Sequence, residues 1–246
     1  MIFNVHAGHN PDGKAGCGAI GLIKESTEAR WIKEEVICQL RLLGHIVYDC
    51  TVEDGYNASD VLKKIVTKCN SNHVDLDVSI HLNAGRNDYA GDGKLGGTEV
   101  FIYSASSSAA DYAQKTADAI SGLGYPRRSD GTFSAGVKVN PSLYVLKNTK
   151  APAMLIECLF VDDKDDVELY DYQSIASAIV YGMTGQQILP ETEVPDEDLT
   201  PEEGASAGET DRRYRVQVGA YAIKDNASRM AMKLKDAGFD ALIISS

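Results

Sequence analysis

Residues 78–85, VSIHLNAG, place one imidazole at the end of an apolar, β-branched run. The first five residues have the composition of a buried strand, and the three that follow are small or polar, which is typical of a strand leaving a sheet. A buried strand has little use for a histidine, whereas the sheet edge where strands end is the usual place for chemistry in α/β proteins. The pattern therefore marks His81 as a candidate functional residue.

Around this strand, apolar strand-like runs alternate with segments of helical periodicity. Strands are predicted at MIFNV, HIVYDCT, LDVSIHL, GTEVFIYS, SLYVL and AMLIECLF, and helices near residues 27–43, 58–69, 109–123 and 174–183. This βαβ alternation predicts an α/β fold with a mostly parallel, twisted central sheet flanked by helices. In the first helix, Ser26 or Thr27 is a candidate N-cap. Arg30 and Lys33 are placed on its polar face.

An acidic segment divides the chain. Residues 188–211 contain nine acidic residues, no Lys or Arg and no aromatic residue. They are predicted to form a disordered linker, because such a composition cannot bury enough apolar surface to offset the entropy of ordering. The linker separates a first domain at residues 1–187 from a short C-terminal segment at residues 212–246, whose pattern predicts one βαβ unit.

Composition argues against several classes of protein. The formal net charge of −12 lies mostly in the acidic linker, so the charge predicts no nucleic-acid partner. The chain has no apolar run of about 18 residues, and MIFNVHAGHN has neither a basic region nor a cleavable apolar core, so neither membrane insertion nor a signal peptide is expected. The cysteines are odd in number and form no C-x-x-C pair, which predicts reduced thiols rather than disulfides or a zinc cluster. They are Cys17, Cys38, Cys50, Cys69 and Cys158.

Three polar residues coincide with predicted strands or strand ends. His9 follows the first strand, His81 ends the third, and Glu157 lies inside the apolar run MLIECLF. A carboxyl group in such surroundings must be paired, bound to a metal or raised in pKa, which describes a catalytic acid or base. A structural carboxylate bonded to a lysine or a backbone amide is the alternative. His9, between Gly8 and Asn10, fits a turn as well as a site.

Two histidines and a carboxylate from separate elements can bind zinc and leave one coordination position open. Glu25, just before the first long helix, is the candidate third ligand, although a carboxylate there is also explained by the helix dipole. His6 and Glu28 are further candidates for contact with the metal.

Together these motifs resemble the zinc-dependent N-acetylmuramoyl-L-alanine amidases of autolysins, spore-associated lysins and phage endolysins. AGHN matches the Gly-His turn that follows the first strand in that family. The family also has a Glu nineteen residues before a Gly-His or similar pair that opens the second strand, as Glu25 stands before Gly44. SIHLNA, GTEVFIYS and LYVLKNTKAPAMLIECLF then follow in the family's order, so that the resemblance covers residues 1–186. The chain departs from the family at His6, where an acidic residue is common, and at Asn10, where a second glycine is common. The neighbouring groups that hold His9 in position are therefore expected to differ from those in the family.

The resemblance implies that His9, Glu25 and His81 bind Zn²⁺ and that Glu157 is the catalytic carboxylate. It also implies hydrolysis of the amide between N-acetylmuramic acid and L-alanine in peptidoglycan. A zinc peptidase of other specificity and a non-catalytic peptidoglycan-binding module remain the alternatives. The sequence leaves the oligomeric state open.

The tail YRVQVGAYAIKDNASRMAMKLKDAGFDALII resembles the first half of a sporulation-related (SPOR) peptidoglycan-binding repeat. This similarity implies that residues 212–246 form a partial wall-binding segment. Without a recognisable signal peptide, we expect synthesis in the cytoplasm and action on the cell wall after either holin-type release of a phage lysin or lysis of a sporulating mother cell.

Overall fold

The computed structural model describes residues 1–188 together with Ala231, Leu242 and Ile243. Within that part of the chain the strands are β1 (Ile2–Ala7), β2 (Ile46–Asp49), β3 (Leu76–Asn83), β4 (Glu99–Ile102), β5 (Val137–Val139) and β6 (Ala153–Phe160). The helices are α1 (Glu25–Leu42), α2 (Ala58–Asn70), α3 (Ala110–Ser121), α4 (Tyr144–Asn148), α5 (Lys164–Leu169) and α6 (Tyr172–Thr184). Apart from Ile188 and the three separate residues, the predicted linker and C-terminal βαβ unit lie outside the described residues.

The strands form one sheet in the order β2-β1-β3-β6-β4-β5. Neighbouring strands are parallel except for β4 and β6, which are antiparallel. The mostly parallel sheet predicted from the βαβ alternation is therefore confirmed. Since β4 runs against β6, β4 begins at the same edge of the sheet at which β3 and β6 end.

The two faces of the sheet differ in their partners. Alternate residues of a strand point to opposite faces, and the apolar set of β3, which includes Val78 and Ile80, shares a buried cluster with α1, α3 and α6. The opposite face is covered by smaller clusters that contain residues of α2 and α4. Near the edge where β3 ends, this second face carries polar side chains, and this is where the candidate site lies.

Helix α1 carries one buried and one exposed leucine, which allow a test of how much the buried cluster shared by β3, α1, α3 and α6 stabilises the fold. Leu40 is fully buried in that core, whereas Leu42, two residues on, is 72% exposed. Leu40→Ala is expected to lower the free energy of unfolding by about 2–5 kcal/mol, because it removes buried apolar surface and leaves a cavity. Leu42→Ala should change it by less than about 0.5 kcal/mol. Urea unfolding of both variants checks this, and equal effects would contradict the assignment of the core.

Helix α1 differs from its prediction at its start and on its polar side. It begins at Glu25 rather than near Thr27, and its N-cap residue, Lys24, makes no side-chain capping hydrogen bond. The predicted cap by Ser26 or Thr27 is therefore wrong.

The predicted polar face of α1 is also not solvent-exposed, since both Arg30 and Lys33 are buried. Lys33 Nζ lies 2.7 Å from Glu34 Oε1 and 2.8 Å from Asp49 Oδ2. The pairing offsets the desolvation of the ammonium group, which explains how the helix can bury it.

The run SLYVL, predicted as a strand, lies instead at the start of helix α4. Val145 and Leu146 are adjacent yet belong to two different buried clusters, one with α2 residues and one against β6. In a helical turn, the side chains of two successive residues point in different directions, so that each of these two can reach its own cluster. The sequence pattern also left out the short strand β5 and helix α5. Helix α5 is capped by Asp163, which accepts a hydrogen bond from the backbone N–H of Asp166.

All five cysteines are free thiols, as predicted; three of them are buried, Cys17 is half-buried and Cys38 is exposed. Among the helices of the described residues, none combines the length and the apolar character needed to span a bilayer.

Candidate metal centre

Four residues form a row across the sheet at the edge where β3 and β6 end. His81 on β3 lies opposite Glu157 on β6, and Glu157 lies opposite Glu99 on β4. On the other side of His81, the backbone N–H of Gly8 donates to Ile80 O at 2.9 Å, which continues the β1–β3 pairing past the end of β1. An imidazole and two carboxyl groups therefore stand side by side on one face.

His9, Glu25 and His81 meet at the end of this row. Glu25 Oε1 lies 3.1 Å from His9 Nε2 and 3.0 Å from His81 Nδ1. The three donor atoms lie within 4.8 Å of one another. The two rings are 4.8 Å apart between centroids and nearly perpendicular, at 80°. The fold thus brings together three residues that are up to 72 positions apart in the sequence.

The carboxylate of Glu25 is held by both of its oxygens. Oε2 accepts a hydrogen bond from the backbone N–H of Ala19 at 2.8 Å, and Oε1 accepts one from Leu82 N at 3.4 Å. Burial alone would raise the pKa of Glu25, but the hydrogen bonds from His81 and His9 outweigh it and hold the pKa below its ordinary value. Burial lowers the pKa of His81, which favours the neutral imidazole that binds metals.

The backbone conformation of His9 directs its ring toward Glu25. His9 has a φ of 65°, in the left-handed region that non-glycine residues seldom adopt. Arg30 Nη2 donates to His9 O at 3.0 Å and to Val52 O at 3.1 Å, which ties this turn to helix α1. Such strain is characteristic of functional sites. The buried Arg30 is thus the local support of His9, and its sequence position gave no indication of this.

Two glycines allow the close approach of the side chains of His9, Glu25 and His81. A Cβ atom on Gly18, whose φ is +81°, would lie 2.5 Å from Glu25 Oε2 and 2.8 Å from His9 Cδ2. A Cβ atom on Gly8 would lie 2.0 Å from His81 Cε1. The sequence identified Gly8 only as part of a turn and did not single out Gly18.

Gly8→Ala is expected to displace the ring of His81 from Glu25, because the added methyl group occupies the space of that ring. We expect zinc affinity to fall by about 10- to 100-fold, the usual effect of disturbing the support of a ligand. Titration with zinc against a competing chelator measures this. Gly122→Ala is the control, since Gly122 has a φ of −60° and its Cβ would lie no nearer than 3.1 Å to another atom. Unchanged affinity in Gly8→Ala would contradict the expected displacement.

Glu157 Oε2 is buried and has no hydrogen-bond partner among the described residues. Burial raises the pKa of Glu157 well above its ordinary value, and the nearby charges of Glu25 and Glu99 raise it further. A carboxyl group whose pKa is raised keeps its proton to a higher pH than an ordinary carboxyl group does, which is typical of a catalytic acid or base.

The donor set of His9, Glu25 and His81 suits zinc. Two donors bonded at about 2.0–2.1 Å at tetrahedral angles are about 3.3 Å apart, close to the 3.0 and 3.1 Å that separate Glu25 Oε1 from the two imidazole nitrogens. Two nitrogens and one oxygen make three protein ligands, the number usual for catalytic zinc. The residues therefore fit the donor set of a catalytic zinc ion.

The two further candidates lie outside this group of three donors. His6 is fully buried two residues before Gly8, opposite Ser79. Burial lowers the pKa of His6 to about 3, so its ring is neutral. Glu28 Oε2 accepts a hydrogen bond from Tyr170 Oη at 3.0 Å. Neither residue belongs to either of the two groups of side chains that could hold a metal ion within the described residues.

The family model described as N-acetylmuramoyl-L-alanine amidase matches residues 4–185. A second model, described as SPOR domain, matches residues 210–246. The first match includes all the residues of the row and of the three-donor cluster.

Similar proteins include an uncharacterized protein of Clostridium perfringens, 34% identical over 170 residues, which are 69% of this chain and 47% of that protein. The endolysin of Bacillus phage SPP1 is 36% identical over 131 residues, or 50% of this chain and 44% of the endolysin. The chain spans about half the length of these curated relatives. Among solved structures, the catalytic domain of the CD27L endolysin targeting Clostridia difficile matches with a TM-score of 0.64 and 26% identity, covering 77% of this chain and 99% of that one.

Proposed function

The chain belongs to the N-acetylmuramoyl-L-alanine amidase family, and from this we propose that it hydrolyses the amide between N-acetylmuramic acid and L-alanine in peptidoglycan, with zinc as cofactor. The observation that carries the proposal is the convergence of two imidazole nitrogens and a carboxylate oxygen next to the unpaired, buried oxygen of Glu157. The similarity to endolysins supports the same reaction class.

We assign His9, Glu25 and His81 as the zinc ligands. Zinc held there would supply a Lewis acid, which would lower the pKa of a bound water toward about 7 and polarise a carbonyl group. The side chain of His9 is 31% exposed, whereas those of Glu25 and His81 are 5% and 11% exposed. The substrate therefore reaches the site from the side of His9, and the other two ligands are enclosed by protein.

Glu157 is assigned as the general base and then the general acid. Its carboxylate takes a proton from the attacking water as the new C–O bond forms at the amide carbon. It then gives that proton to the nitrogen of L-alanine as the C–N bond breaks. The raised pKa of Glu157 favours the first half of this exchange, because it makes the carboxylate a stronger base toward the proton of the water.

Digestion of purified sacculi by the full chain tests the proposed reaction. An amidase releases new α-amino groups of L-alanine and leaves the glycan reducing ends unchanged, and mass spectrometry of the products identifies the bond. New amino groups at another peptide position would instead indicate a zinc peptidase of other specificity. Wall binding without any new amino group would indicate a non-catalytic binding module.

The remaining assignments concern the parts of the chain outside the described residues. We assign residues 188–211 as a linker and residues 212–246 as a SPOR-like segment that binds the wall, a role supported by the SPOR match. A phage lysin released with a holin and a sporulation lysin freed by mother-cell lysis would both act on the wall. Expression after prophage induction or during sporulation distinguishes these two contexts.

A further inference from the structure

The row across the sheet contains an acidic residue to which the proposed reaction gives no role. Glu99 lies directly opposite Glu157 in the antiparallel β4–β6 pair and is only 5% exposed. A buried carboxylate next to a second carboxyl group is unfavourable unless positive charge compensates it. The neighbours of Glu99 therefore indicate what this part of the site is built to hold.

The positive charge around Glu99 exceeds what one carboxylate needs. Glu99 Oε2 accepts hydrogen bonds from Arg128 Nε at 3.0 Å and from Lys138 Nζ, while Oε1 accepts one from Asn83 Nδ2 at 2.8 Å. Arg128, Lys138 and the carboxylate of Glu99 together carry a formal charge of +1, before the neighbouring carboxyl group of Glu157 is counted. We call Glu99, Arg128 and Lys138 the cationic cluster.

Both the backbone and the side chain of Arg128 are held in place by contacts with neighbouring residues, as is usual for a side chain that recognises a ligand. Its backbone N–H donates to Thr98 O at 3.0 Å, and its carbonyl accepts from Gly136 N at 2.8 Å. Its guanidinium group donates from Nη1 to Gly96 O at 3.0 Å and lies 4.7 Å from the ring centroid of Phe160.

The guanidinium group nevertheless keeps donors available. The side chain of Arg128 is 35% exposed, whereas that of Glu99 is 6% exposed. Within the described residues, Arg128 Nη2 donates no hydrogen bond. A guanidinium group with free N–H groups is suited to a carboxylate, because its planar fork matches two carboxylate oxygens.

The cationic cluster lies beside Glu157, the proposed general base. Glu99 begins β4 at the same sheet edge where β6 carries Glu157, on the same face. Arg127 provides the contrast, since its Nη1 pairs with Asp118 on helix α3, away from this row, and both side chains are more than 40% exposed.

We propose that Arg128, held by Glu99 and assisted by Lys138, binds a carboxylate of the stem peptide on the L-alanine side of the scissile amide. This inference rests on the proposed amidase function and adds to it a preference for stem peptides that carry this carboxylate. The sugar hydroxyl and acetamido groups of the glycan are neutral, so the peptide is the part of the substrate that the cationic cluster recognises. The contact would orient the peptide so that its amide lies next to Glu157.

The test uses two synthetic muramoyl peptides that differ only at the residue after L-alanine, which carries a free carboxylate in one and a carboxamide in the other. With the 246-residue chain, kcat/KM is expected to favour the carboxylate by about 10- to 100-fold, mainly through KM. Arg128→Gln should lose that preference by slowing the carboxylate substrate far more than the carboxamide. Arg127→Gln, which removes the same charge one position away, should keep it.

The outcomes separate the two proposals. Cleavage of neither peptide by the natural chain overturns the amidase function and this inference with it. Equal cleavage of both by the natural chain overturns the inference and leaves the amidase function in place. An unchanged preference in folded Arg128→Gln also overturns it. If that variant does not fold, Lys138→Gln takes its place, with a reduced preference expected and an unchanged one contradicting the proposal.

Discussion

Glu157→Gln is expected to lower the rate of amide hydrolysis on purified sacculi by about 10²- to 10⁴-fold, the usual contribution of a positioned general base. Glutamine has nearly the shape of the protonated carboxyl group but cannot accept the proton of water. The three ligand donors lie on other elements, β3, α1 and the turn after β1, so the metal content should stay the same.

The stability of this variant separates a catalytic effect from misfolding. Burial raises the pKa of Glu157 in the folded protein, so above the ordinary carboxyl pKa the folded state must either keep a proton or bury a charge. Ionisation therefore opposes folding at neutral pH, and the neutral glutamine removes that opposition. Glu157→Gln should unfold at the same or a higher temperature than the natural chain, as measured by calorimetry at pH 7.

The matched control is Glu168→Gln. Glu168 has a side chain that is 63% exposed and pairs with Lys164 one turn away on helix α5, so full activity is expected. Wall hydrolysis at the natural rate by Glu157→Gln, with zinc bound, would remove Glu157 from the mechanism.

His81→Ala is expected to abolish both metal binding and activity. His81 Nδ1 lies 3.0 Å from Glu25 Oε1, and without this ring only His9 and Glu25 remain as ligands. Elemental analysis should show the zinc content fall from about one ion per chain to near zero. Activity should fall by at least about 10³-fold, since the metal contributes several kcal/mol to the barrier.

His73→Ala is the control for this variant, because His73 is exposed in the connection before β3. It removes one imidazole and should leave both zinc content and activity unchanged. If His81→Ala retained a full complement of zinc, His81 would not be a ligand, whatever its activity.

The strand-end residues of the site were open to prediction because parallel strands end at a common edge. His81 interrupts an apolar run, and Glu157 places an ionisable group among apolar neighbours; both anomalies are visible locally. Glu25 is different, since nothing near it in the sequence distinguishes a metal-binding carboxylate from an ordinary charge at the start of a helix. Its assignment depended on the family resemblance, and its two imidazole neighbours are 16 and 56 positions away.

Other features were beyond any local pattern. Arg30 has the periodicity of a surface residue, yet its guanidinium group is buried because the carbonyls of His9 and Val52 accept its hydrogen bonds. The SLYVL run has the composition of a strand, but Val145 and Leu146 serve separate clusters and need a helical turn. In both cases the partner that decides the conformation is distant in the sequence.

The sequence by itself determined the class of the fold and the chemical types at the strand ends, because hydrophobic periodicity and an isolated polar group in an apolar run are local properties. Only the tertiary structure decided that β6 lies between β3 and β4, which sets Glu157 beside both His81 and Glu99. Strand order and register follow from which surfaces pack best once the whole chain is folded, and no stretch of sequence contains both partners of such a contact.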